Sequence, residues 1–239
     1  MFRTLLVTAL VGLFVVPLVQ AHDTWIEKRD GQILVLRGHG LEVEAYDPSL
    51  VQEAKARDAE GRVVETEIRQ HKENASLVPK GNAVVVAALY NSGYWLKTTD
   101  GWKKATKREG KGKYEIVESI KSKQWCKSFS APCPENSKPV GQRFEVVPQK
   151  DPTTVAVGDT LPIKVIFDEK PVEGALITTG GADASDAKDA LKTDKDGKAT
   201  VAIEKAGLQL IKASHKVPLT DDPDADVLSL ASTITFVTQ

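Results

Sequence analysis

Four histidines are spread through the 239 residues, at His22, His39, His71 and His215. None falls in a zinc-finger or HExxH spacing, so a metal site built from them must be assembled by the fold from distant parts of the chain. His22 follows Ala21 at the end of an apolar leader, and cleavage between them exposes a free amine beside the imidazole of the same residue. Such a pair can chelate one ion. Imidazole suits nickel, cobalt, copper and zinc, whereas calcium and magnesium call for clusters of oxygen donors. His39 sits between Gly38 and Gly40, in a turn where the backbone can pass close to a bound group; its bland reading is a solvent-facing turn histidine. His215 ends the apolar run from Leu208 to Ser214, where a structural histidine is the ordinary case. His71, in the charged stretch Arg69–Glu73, is a reserve ligand, and Asp23 and Glu42 are candidate ligands or outer partners. The expected metal set is His22, His39 and His215, with nickel or cobalt foremost and copper or zinc as alternatives.

The elements that must position these residues are strands. Met1 to Ala21 has the build of a secretory signal peptide: one charge at Arg3, an apolar run from Leu5 to Val19, and a small residue at the cleavage site. That run is 15 residues long, short of the ~20 that span a bilayer, so no stable membrane anchor is expected. After it, Gln32–Arg37, Leu41–Tyr46, Val63–Arg69 and Ala83–Tyr90 are strand candidates separated by turn formers. Val117–Phe129 carries apolar residues near helical spacing and is the candidate helix. Pro148-Gln149-Lys150-Asp151-Pro152 marks a joint. Beyond it, Asp159–Phe167, Leu176–Thr179, Lys198–Ile203, Gln209–Ser214 and Leu230–Val237 are short strands with turns between them. Ala182–Asp194 is an acidic surface loop, with a short helix over Ala184–Leu191 as its alternative. The expectation is a mainly β protein of two antiparallel sandwich-like domains, residues 22–148 and 153–239.

Composition narrows the function classes. Basic and acidic residues number 32 and 33, giving a formal net charge of −1 and no global field to draw in nucleic acid. Seven Lys or Arg against two acidic residues over 97–113 form a local basic segment, either solvated or docking to an acidic partner or membrane headgroups. Cys126 and Cys133, with six residues between them in a chain expected to be exported, are expected to form a disulfide. No Ser-His-Asp spacing, phosphate-cradling glycine loop or paired-carboxylate motif stands out, so hydrolase and kinase readings rank low.

Two resemblances add to this. "VGDTLPIKVIFDEKPVEGALI" followed by "TDKDGKATVAI" resembles the Greek-key modules of transthyretin and carboxypeptidase-regulatory type, which implies a small sandwich for the second half. The order AHDTWIE, RGHG, GYWLKTTDGW and ASH resembles the secreted or periplasmic DUF4198-like proteins associated with cobalt and nickel uptake. That resemblance implies a non-catalytic protein which holds a divalent transition metal outside the inner membrane and delivers it to the membrane component of an ABC- or ECF-type transporter. Two competing readings are a mononuclear copper oxygenase using the N-terminal histidine and a structural envelope or adhesion module.

Overall fold

The computed structural model describes residues 22–180 and 191–239. The expected leader, and the 184–190 part of the alternative helix, lie outside the described residues. Among those described, seventeen strands follow one another: β1 Asp23–Arg29, β2 Gln32–His39, β3 Glu42–Val43, β4 Val51–Arg57, β5 Thr66–Gln70, β6 Ala75–Pro79, β7 Val85–Thr98, β8 Gly101–Lys103, β9 Ile116–Phe129, β10 Phe144–Pro148, β11 Thr160–Phe167, β12 Lys170–Pro171, β13 Leu176–Thr179, β14 Leu191–Lys192, β15 Lys198–Ala202, β16 Gly207–Pro218 and β17 Val227–Thr238. Helical structure is confined to α1, Lys107–Gly110, and three short 3-10 turns. No described helix is long and apolar enough to cross a membrane.

The strands form three layers. A large middle sheet runs β14-β13-β16-β17-β9-β7-β4, with β8 beside β7. One face is covered by the sheet β1-β2-β6-β5, with β3 beside β2, and the other by β10, β11, β12 and β15. β7 explains why Ala83–Tyr90 is apolar at every position. Its Val85, Ala87 and Leu89 pack toward Phe144, Leu161 and Val165, while Val86, Ala88 and Tyr90 pack toward Ile26, Val35 and Leu77. A strand covered on both faces needs no polar alternation. The middle sheet is mixed, because β17 runs parallel to β9, with Val227 opposite Ile120 and Thr235 opposite Ser128. The sheet therefore takes strands from both sides of the Pro148–Pro152 joint.

The helix expected over Val117–Phe129 is instead the strand β9, which has β7 on one side and β17 on the other. Trp125, Cys126 and Lys127 are all buried, so burial on both faces erased the two-residue period and left a spacing that imitated a helix. Leu41–Tyr46 contributes only the two-residue β3. The expected strands of the second half appear as β11, β13, β15, β16 and β17, the last two each extended to twelve residues.

Candidate metal centre

β1 was not foreseen, yet it is what places His22. Asp30 and Gly31 take positive φ values of 48° and 77°, forming a tight turn that folds β1 back on β2. In that register Asp23 faces Gly38 and Thr24 faces Arg37. One step further brings His22 beside His39, and their ring centroids are 4.0 Å apart. On the other side of β2, Gly38 pairs with Val43 and His39 with Glu42, and the Glu44 N–H donates to the Arg37 carbonyl at 2.7 Å. Gly40, at φ 60°, makes this second turn. Gly38 is required for a separate reason: a Cβ there would lie 1.7 Å from the Glu42 carbonyl oxygen. The GHG motif is thus a turn that lets β3 pass close enough to carry Glu44 back to His39.

The result is a group of three, His22, His39 and Glu44, whose ligand atoms all lie within 4.8 Å of one another. His22 Nε2 is 2.7 Å from Glu44 Oε2, and His39 Nε2 is 3.6 Å from Glu44 Oε1. Arg37 Nη1 stands 3.5 Å from the same carboxylate. Partial burial, followed by the positive charge of Arg37, holds the His22 imidazole below its ordinary pKa despite the opposing pull of Glu44. A neutral ring keeps its lone pair for a metal. Two imidazoles and a carboxylate form a donor set that zinc, non-haem iron, nickel and cobalt accept.

The other candidates are placed elsewhere. His215 stays outside the group of ligand atoms, although it lines the same groove as His22. It shares strand parity with Ile211 and Ala213, which pack into the core beneath the middle sheet, while Lys212 on the alternate face reaches Asp23. His71 bonds the Ser76 hydroxyl at 2.9 Å in the β5–β6 hairpin. Asp23 is buried and paired with Lys212 at 2.5 Å, so it braces the strand that carries His22. Glu42 is exposed at the hairpin tip. Cys126 and Cys133 are free thiols: Cys126 points into the core beside Ala88, and Cys133 meets the Ala59 carbonyl at 3.0 Å. The expected disulfide is absent because β9 ends between them and the chain carries Cys133 to the β4 end. Two cations of the basic segment are held internally, Lys107 by Asp226 and Arg108 by Asp224.

A groove of about 530 Å³ adjoins His22. His22 and His215 form part of its wall, with apolar Ile120, Leu176 and Leu230 and the polar Ser122 and Lys216 around them. Gln124 also donates to the His22 carbonyl at 3.1 Å, tying the start of β1 to β9.

Among known proteins, an uncharacterized protein of Haemophilus influenzae is 26% identical over 235 residues, spanning 97% of this chain and 96% of its own. The D0-D1 domain of Intimin shares 14% identity over 91% of this chain and 100% of that one, with a TM-score of 0.22, too low to carry an argument. Residues 19–217 match a domain of unknown function, and the span includes His22, His39, Glu44 and the strands that join them. The chain belongs to the DUF4198 family.

Proposed function

We propose that the protein captures a divalent transition-metal ion, nickel or cobalt foremost, through His22, His39 and Glu44, and holds it outside the inner membrane for transfer to an uptake transporter. The observation that carries this reading is the convergence of three ligand atoms within 4.8 Å from two separate hairpin arms. Ligands of one ion at ~2.1 Å bonds lie at most about 4.2 Å apart, so a shift of under an ångström closes the set. Cleavage before His22 adds the terminal amine as a fourth donor on the same residue. Glu44 replaces His215 in the proposed ligand set; a mixed nitrogen and oxygen set still ranks copper first by affinity, so the choice of nickel or cobalt rests on the family resemblance. Transfer needs ligands that can be exchanged, and all three side chains are partly solvent-exposed. No catalytic step is proposed.

The test is calorimetric titration of nickel and cobalt into protein that begins at His22, beside His39→Ala and Glu44→Gln. Binding by the parent and a loss of at least tenfold in each variant support the reading. Equal affinity in all three removes it. The copper-oxygenase alternative predicts peroxide formation by the copper-loaded protein with a reductant.

A further inference from the structure

Strand pairing sets Thr24, Arg37 and Glu44 in one row. Thr24 of β1 lies opposite Arg37, and on the other side the Glu44 N–H donates to the Arg37 carbonyl, so the three side chains share the face that carries His22 and His39. Two polar groups in that row are poorly satisfied. The Thr24 hydroxyl is buried and has no hydrogen-bond partner among the described residues. The Arg37 guanidinium carries a fork of N–H donors and is only 15% exposed, yet its one ion-pair contact among the described residues is Nη1 to Glu44 Oε2 at 3.5 Å. That is longer than an ordinary hydrogen bond. An orphaned hydroxyl and an under-used donor are thus direct cross-strand neighbours.

Glu44 Oε2 is also the oxygen that His22 Nε2 approaches at 2.7 Å. An ion held by the two rings and this carboxylate therefore meets Arg37 at the same atom, and two cations so close repel strongly in a partly buried site. A lysine could escape by shedding its proton, but a guanidinium stays charged and has to move. The hydroxyl beside it supplies the place to go.

Resting on the metal-binding reading above, we infer that Arg37 is a built-in competitor for the carboxylate that the cargo needs. It holds Glu44 in the ion-free site; on loading, the guanidinium leaves Glu44 and donates to the Thr24 hydroxyl. Arg37 lowers the affinity of the site, and its return to Glu44 helps drive the ion off during transfer. It sets affinity without being a ligand.

Calorimetric titration of nickel chloride into protein that begins at His22 compares the parent with Arg37→Gln, Thr24→Val and the double variant, with urea unfolding of each in the absence of metal. Arg37→Gln should bind nickel about tenfold tighter than the parent, because the competing charge is gone. An Arg37 that only braced the turn would give weaker binding instead. Thr24→Val removes a hydroxyl that has no partner in the ion-free state, so its unfolding midpoint should not fall, while nickel binding weakens about threefold. In the Arg37→Gln background the same change should leave affinity where it was. Unchanged or weaker binding in Arg37→Gln, or parent affinity in Thr24→Val, overturns the inference and leaves the metal site standing. If Arg37→Gln does not fold, Thr24→Val decides alone. A parent that binds no nickel removes the metal-binding reading, and this inference with it.

Discussion

Glu44 and Glu145 are each the centre of a polar cluster, and the contrast between them separates a ligand site from a structural brace. Glu145 is fully buried. It accepts from Lys127 Nζ at 2.5 Å and from the backbone N–H groups of Val140, Gly141 and Gln142 at 2.8–3.1 Å. Four donors saturate its two oxygens, and Lys127 is equally buried, so nothing remains for a ligand and no path leads in. Glu44 keeps 42% of its side chain exposed, and its neighbours are two imidazoles and one guanidinium. A neutral imidazole donates through one ring nitrogen and keeps a lone pair on the other, so each ring can bond the carboxylate or share a cation with it. A carboxylate flanked by two imidazoles, at an open rim, is arranged for exchange.

The largest effect expected from breaking this comparison is at the brace. Lys127→Met leaves the Glu145 charge buried without its cation and should cost about 3–5 kcal/mol of stability, measured by urea unfolding, with nickel affinity of the surviving folded protein unchanged. Glu44→Gln should do the reverse: at least tenfold weaker nickel binding, about 1.4 kcal/mol, with an unfolding midpoint close to that of the parent. Tyr46→Phe lies between the two. The buried Tyr46 hydroxyl donates to the Val35 carbonyl at 2.7 Å and accepts from Ala75 N–H at 3.0 Å, pinning the segment that leads away from Glu44. Its loss should cost about 1–3 kcal/mol by the same unfolding measurement, mainly from the two backbone groups left unpaired.

Proton competition sharpens the contrast further. Burial and Arg37 lower the His22 pKa from its ordinary 6.5, so the unfolded chain takes up a proton that the folded site resists. The His22 contribution to stability is therefore favourable above pH ~6.5 and is lost as pH falls through the lowered folded value. Nickel affinity measured by calorimetry across the same range should fall with it, because the ion must displace the proton. The smallest effect is at His215, where replacement by alanine should leave nickel affinity within about twofold of the parent, less than 0.5 kcal/mol. A tenfold loss there would restore His215 to the ligand set.

Much of the scaffold was legible because burial leaves a mark on sequence. The apolar run Ala83–Tyr90 announced a strand, and the turn formers of the second half separated β11, β13, β15, β16 and β17. β9 misled for the same reason that β7 was clear: with neighbours above and below, polar Lys127 and Gln124 interrupt it according to specific partners, not to a period. At the site, residue type led to His22 and His39, but register decided their company. Asp30-Gly31 was an available hairpin signal, and reading it would have set His22 against His39. The tight turn at Gly40 carried the second clue, since pairing Gly38 with Val43 puts Glu44 opposite Arg37. His215 could be discounted only by counting its parity along β16 against Ile211 and Ala213, which requires knowing which face is core.

Nickel K-edge X-ray absorption of the loaded protein beginning at His22 tests the central claim most directly, because it counts the neighbours of the ion by type. Scattering from two imidazole rings, with the remaining shell of light nitrogen and oxygen donors, is the predicted result, and one ring should vanish in His39→Ala. A shell of oxygen alone, or a two-ring spectrum that His39→Ala leaves intact, would contradict it.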